Sequence, residues 1–197
     1  NYDYKKVAPP TQVFYHVHMI LKRAFYLQDP FDAVRGLLGA YLCRTMDDGT
    51  IIRARIAEVE LYHQSERACH AFGGRCTTRN DAMFMAGGHA YVYLCYGLHN
   101  MLNIVLGPAG TAMAALVRAV EIPGGNGPGK LCATMGITRA DNKLDLTLGQ
   151  KMWIAPRDTT PEIITGPRIG VDYAGTDAKL PWRFAIADSV YISKPFN

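Results

Sequence analysis

The chain predicts an α+β fold, one domain organised around an antiparallel β-sheet. Three observations point there. Its β-prone segments follow one another without regular β-α alternation. Gly- and Pro-rich punctuation breaks the chain into short strands with few helices between them. At 197 residues and 49% hydrophobic, it is long and apolar enough for one well-filled core.

Taken in order, Asn1–Pro10 reads as a loose arm, and Thr11–Tyr26 as a helix with Val13, Val17, Ile20, Leu21 and Phe25 near helical spacing. Asp29-Pro30 is a helix start, Asp as N-cap and Pro in the first turn, and that helix should end near Gly39. Tyr41–Met46 is strand-like, and Asp48-Gly49 is a hairpin turn. In the returning strand, strict alternation places Ile52, Ala54, Ile56 and Glu58 on one face and Arg53, Arg55, Ala57 and Val59 on the other. Tyr91–Tyr96 and Asn103–Leu106 form a second hairpin, with its turn expected at Gly97-Leu98-His99-Asn100 and aromatic residues running up to the tip. Ala112–Ile122 is another strand. Gly127-Pro128-Gly129 then breaks the chain before a short helix starting near Lys130, and Lys151–Asn197 mixes short strands with Gly/Pro turns.

Composition narrows the function classes. The net charge of +4 permits a polyanionic partner without requiring one. No apolar run reaches the roughly 18 residues of a membrane span, and no secretory signal is legible. Five cysteines, an odd number with no CxxC pair, argue against a disulfide framework and for a reducing compartment. Cys69, His70 and Cys76 match no structural zinc spacing, so no metal and no cofactor is expected.

The chemistry concentrates between Arg55 and Arg118. Glu58-Val59-Glu60-Leu61-Tyr62 sets carboxylates on an apolar strand beside aromatics. The tract from His70 to Asn80 has the composition of a loop that presents backbone N–H, hydroxyl and guanidinium groups to phosphates. Singly, each of these residues has a bland reading as an edge charge, sheet core or polar loop.

Together they resemble the alkyladenine (3-methyladenine) DNA glycosylase family. The resemblance runs through Glu60-x-Tyr62, His70-x-x-Gly73-x-Arg75-x-Thr77-x-Arg79-Asn80, Met83-Phe84, Tyr91-Val92-Tyr93-Leu94-Cys95-Tyr96-Gly97 and Asn103. It continues through Leu116-Val117-Arg118-Ala119, Gly127-Pro128-Gly129-Lys130-Leu131-Cys132, Arg168-Ile169-Gly170-Val171, Ala174-Gly175 and Pro181-Trp182-Arg183-Phe184. It spans roughly Phe25 to Ser193 in order, leaving the N-terminal arm and helix outside.

The resemblance implies a curved antiparallel sheet with flanking helices and a protruding β-hairpin, and a monofunctional DNA glycosylase of base excision repair. Such an enzyme flips an alkylated purine of the 3-methyladenine or 7-methylguanine type out of double-stranded DNA and hydrolyses its bond to the sugar. Glu60 would activate the water, with Arg118 and the backbone carbonyl of Ile169 helping to hold it. Tyr62, His70 and Tyr93 would sandwich the base, and Asn103 would sit where the 2-amino group of a normal guanine clashes. Tyr96 would fill the gap in the duplex, with Leu98 beside it. Arg75, Thr77, Arg79 and Lys130 would contact phosphates. No membrane is implied, and a monomer acting inside the cell, in the nucleus or at a cytoplasmic nucleoid, fits the reading.

The chain departs from the family pattern at Leu61 and Ala71, where a small residue and a Ser are usual. It is also short between Glu60 and His70 and between Ile122 and Asn126. Two rivals stand beside this reading. A non-catalytic nucleic-acid-binding module would lack the acid, and a hydrolase using Cys69 or Cys95 as nucleophile would need an activated thiol. The Gly127-Pro128-Gly129 turn could suggest a helix-hairpin-helix glycosylase, but Glu121–Asn126 cannot supply that motif's first helix.

Overall fold

The computed structural model describes residues 19–196. The fold is α+β, a single domain on a curled antiparallel sheet. The strands are β1 (Tyr41–Thr45), β2 (Ile51–His63), β3 (Ala90–Cys95), β4 (His99–Val105), β5 (Met113–Val120), β6 (Met152–Ala155), β7 (Ile163–Gly166) and β8 (Arg183–Ile186). The helices are α1 (Arg23–Tyr26), α2 (Pro30–Leu37) and α3 (Pro128–Thr134).

The sheet runs β3-β4-β5-β2-β1-β6, with β8 added to β2 and β7 to β8. The long strand β2 causes the curl. Its first half, Ile51–Arg55, pairs with β1, whereas its second half pairs with β5 and, through Glu58–Glu60, with β8. One continuous strand thus serves two differently oriented parts of the sheet.

Strict alternation fails inside β2, at a β-bulge where the register against β5 shifts between Ile56 and Val59. Ala54 and Ile56 point into the main core, but beyond the bulge Val59 and Leu61 do so instead. Glu58 therefore does not share the face of Ile56. The irregularity, which involves both strands, reverses the parity and turns Glu58, Glu60 and Tyr62 away from the core. From there on, the two faces of the sheet are cleanly divided. Ala90 and Val92 of β3, Leu102 and Ile104 of β4, and Ala115 and Val117 of β5 fill the core. Tyr91, Tyr93, Met101, Asn103, Leu116 and Arg118 of the same strands line a cavity on the other side.

Asp29 caps α2 as expected, its carboxylate accepting from the N–H groups of Phe31 and Asp32. Ala33, Val34 and Leu37 of α2 enter the core under β2. The expected helix Thr11–Tyr26 lies largely outside the described residues. Within them only Arg23–Tyr26 is helical, because Leu21 instead donates its N–H to the carbonyl of Ile154 on β6, 2.8 Å away. The helix expected near Lys130 begins at Pro128, and the connection before it is closed tightly by Gly125 N–H to Ile122 O at 2.8 Å.

The β3–β4 hairpin is longer than expected. Cys95 pairs with His99 and Leu94 with Asn100, so those two residues belong to β4 and the turn is Tyr96-Gly97-Leu98. Tyr96 and Gly97 both take positive φ, 50° and 72°. Gly97 carries its value without strain, while Tyr96 occupies a conformation that non-glycine residues seldom adopt. The result is a tip that holds Tyr96 and Leu98 outward, 92% and 77% exposed.

Candidate active site

The cavity on the open face of β3–β5 has a volume of about 520 Å³. Tyr62, His70, Arg79, Tyr93, Tyr96, Asn103, Arg118 and Ile169 all line it. Eight residues named from sequence, drawn from six separate stretches of chain, thus meet at one place. Glu60 is not part of the wall. It is fully buried directly beneath, hydrogen-bonded to three residues that are. Tyr62 donates its hydroxyl to Oε2 at 2.8 Å, Arg118 Nη1 reaches the same oxygen at 3.2 Å, and the N–H of Ile169 donates to Oε1 at 2.8 Å. Ile169 thus meets the carboxylate through its amide, whereas the contact expected of its carbonyl was to the water.

Burial raises the pKa of Glu60 above its ordinary value. The Arg118 cation, the Ile169 N–H and the Tyr62 hydroxyl pull the other way without cancelling it. The Tyr62 hydroxyl is pushed further up by burial and by the adjacent Glu60 charge, so it stays a donor.

The walls are aromatic. His70 packs edge-on to Tyr93 at 4.6 Å between ring centroids, and its Nδ1 lies 3.0 Å from the Tyr91 hydroxyl. Burial, helped by the Arg79 charge, lowers the His70 pKa, which favours the neutral ring. Asn103 is fixed by donating Nδ2 to the carbonyls of Tyr91 (3.1 Å) and Met101 (3.4 Å), so its side chain cannot swing aside.

Ile169 and Tyr62 are held by a deeper element that sequence reasoning gave no role. Arg168 forms a two-pronged pair with buried Glu66, both contacts 2.8 Å, and donates to the carbonyls of Leu61 (3.0 Å) and Asp177 (3.1 Å). Its guanidinium lies 4.7 Å from the Tyr62 ring centroid. Glu58, Arg183 and Ser193 form a second buried network behind Arg118. The legible signal for the second was charge on apolar strands, whereas Glu66 and Arg168 lie outside the strands. What sequence could not show was which charges pair.

From Phe72 to Arg79 the loop is exposed, with Ala71 and Asn80 buried at its two ends. Asn80 organises the loop: its Nδ2 donates to the carbonyls of His70 and Arg75, and its Oδ1 accepts from Thr77 N and Oγ1. The Thr77 hydroxyl proton is thereby used inside the loop and is not offered outward. Arg75 and Arg79 are exposed, Arg79 at 5.8 Å from the Tyr93 centroid. Lys130 is exposed on α3, whose Gly129 lies against His99 beside the hairpin turn. Leu61 and Ala71, the two departures from the family pattern, are both buried in cores and line no cavity wall.

A sequence model of the methylpurine-DNA glycosylase (MPG) family matches residues 24–190. The chain belongs to this family. Among its relatives, a protein of Methanocella arvoryzae provisionally named 3-methyladenine DNA glycosylase is 40% identical, covering 89% of this chain and 96% of its own. Proteins with the same provisional name from Anaeromyxobacter dehalogenans (43% identical, 90% and 88% covered) and Carboxydothermus hydrogenoformans (38%, 89% and 100%) are similar over the same extent. Membership of the methylpurine-DNA glycosylases covers the entire cavity, since every lining residue lies within the matched span. Among the described residues no helix is long and apolar enough to cross a membrane.

Proposed function

We propose that this protein is a monofunctional glycosylase that extrudes alkylated purines from duplex DNA and hydrolyses their glycosidic bond with water activated by Glu60. The observation that carries the reading is a buried carboxylate at the floor of an aromatic cavity whose rim bears an outward-held tyrosine.

A base in a duplex is stacked and paired, so chemistry on it requires extrusion at a cost of a few kcal/mol. Tyr96, on a short hairpin tip, offsets part of that cost by filling the vacated space in the stack. Inside the cavity, stacking on aromatic rings contributes about 1–3 kcal/mol per base. An N-alkylated purine also carries positive charge, so Tyr62 and Tyr93 add a cation–π attraction that normal bases lack. Asn103, locked to the backbone, excludes bulk at one edge of the base.

Water attacks the anomeric carbon as the carbon–nitrogen bond breaks. The electron pair leaves with the purine, and the water proton passes to Glu60. The alkylated base is already cationic and leaves readily, so the acid–base work falls mainly on this one carboxylate. The raised pKa makes Glu60 a stronger base than an exposed glutamate. Among the described residues no lysine lines the cavity, which supports hydrolysis without a Schiff-base step.

Catalysis by Cys69 is disfavoured. Burial pushes the Cys69 thiol up to about 12, far from a reactive thiolate. The deciding experiment is chromatography of bases released from methylated duplex DNA. Release of methylpurines by the wild type and none by Glu60→Gln is expected, and no release by the wild type would end this reading.

A further inference from the structure

Two residues before Glu60 lies a second carboxylate, Glu58, which is fully buried and lines no cavity. Its Oε1 accepts from Arg118 Nε at 3.1 Å, Arg183 Nε at 2.7 Å and the Ser193 hydroxyl at 2.9 Å, and its Oε2 accepts the Ser193 N–H. Arg183 is tied in turn to the carbonyls of Lys194 and Pro195 and lies 3.9 Å from the Phe196 ring centroid. A C-terminal strap therefore clamps Glu58 from behind, and it lies beyond residue 190, where the family match stops.

Arg118 is thus divided between two carboxylates, Nε to Glu58 and Nη1 to Glu60. A carboxylate offers about four lone-pair positions. On Glu60 three are taken, by Tyr62, Arg118 and the Ile169 N–H. An arginine facing a single carboxylate prefers a two-nitrogen fork. On Glu60 such a fork would fill the remaining position.

We propose that Glu58 is a positioning residue: it holds Arg118 by Nε so that only Nη1 reaches Glu60, and the base keeps one lone pair open for the attacking water. This rests on Glu60 being the base. The groups facing Glu60 are Glu58 and Tyr62 on β2, Arg118 on β5, the Ile169 N–H and Arg168 from the segment before β8, and Tyr93 on β3. Glu58 is the acid among them, and its charge raises the Glu60 pKa.

Glu58→Gln removes that like charge and frees Arg118 to fork onto Glu60, and both changes lower the Glu60 pKa. In single-turnover excision from methylated duplex DNA, the acid limb of the pH–rate profile should move down by about one pH unit. The plateau should fall roughly three- to tenfold, with affinity for the damaged duplex unchanged. The alkylated purine carries a fixed charge, so the limb reports the enzyme. An unmoved or upward-moved limb overturns the proposal, even with a lower plateau, because a merely structural role would give that result. Ser193→Ala loosens the same clamp more gently. If Glu58→Gln fails to fold, a smaller downward shift in Ser193→Ala supports the proposal, and an unmoved limb there overturns it. Glu60→Gln in the same assay separates the two levels. An active Glu60→Gln removes the general-base reading. An inactive one beside an unshifted Glu58→Gln removes only the role of Glu58.

Discussion

Glu60→Gln should lose catalysis without losing stability, and the two effects have separable origins. A positioned general base contributes about 10²–10⁴-fold, or roughly 3–5 kcal/mol of barrier, so excision should drop by at least a hundredfold. Stability follows from the burial of Glu60. Its pKa is raised in the folded state because desolvation outweighs Arg118, the Ile169 N–H and Tyr62. A group raised on folding adds stability below its unfolded pKa, and that contribution is lost as pH rises through the folded pKa. At pH 8 the wild type therefore bears a cost of about 1.4 kcal/mol for every tenfold by which folding weakens the acid. Glutamine carries no charge to desolvate, and Arg118 retains Glu58 as a partner at 3.1 Å. The variant should thus melt at the same temperature as the wild type or above it at pH 8. Each kcal/mol corresponds to roughly 2–4 °C in a chain of this size. The advantage should shrink towards pH 5 as the wild-type carboxyl protonates. Thermal melts at the two pH values, paired with single-turnover excision, test both halves. A variant less stable at pH 8 than at pH 5, relative to wild type, would show that Glu60 is stabilised as an anion. Retention of more than about a tenth of the activity would show that it is not the base.

The wild-type acid limb of kcat/KM should lie above the usual glutamate range, since burial raises the Glu60 pKa; a limb at or below that range refutes the assignment. Tyr96→Ala should weaken damaged-duplex binding and flipping while leaving Tm within about 1 °C, because the side chain is 92% exposed; a fluorescent base beside the lesion with an unchanged flipping equilibrium would refute the wedge. Asn103→Ser should raise excision of undamaged guanine above background, and background-level excision would contradict the steric role. Product DNA should carry intact abasic sites, without borohydride-trapped adduct and without EDTA sensitivity; a trapped adduct would indicate an amine nucleophile, and metal-reversible EDTA inhibition a required ion.

Elements with local signals were legible in the sequence. Asp29-Pro30 announces α2 because an aspartate side chain can satisfy the first helical N–H groups by itself. The Tyr-rich β3–β4 hairpin is likewise local, although its tip lies one residue earlier than its glycine suggests. Pairing of Cys95 with His99 carried the strands further than turn propensity alone would. The bulge in β2 was not legible. Nothing in Ile56-Ala57-Glu58-Val59 marks a register shift, which is visible only in the pairing with Val117 and Ala119 across the sheet. The cavity residues emerged from a pattern spread along the chain. The pairing of Arg168 with Glu66, across more than a hundred residues, depends on tertiary proximity that no local rule supplies.

The bulge also explains why the site can exist at all. Without it, Glu58 and Glu60 would keep the parity of Ala54 and Ile56 and face the apolar core, where an unpaired carboxylate is untenable. The irregular register sends both to the other face, where β5 and β8 bring Arg118 and Arg183 to meet them. Two acids and two guanidiniums then form a cluster with no formal net charge at the floor of the aromatic cavity. Replacing such a cluster with apolar side chains would often cost nothing in stability, so folding alone does not call for it. The proposed chemistry, a basic carboxylate beneath a pocket for cationic purines, does.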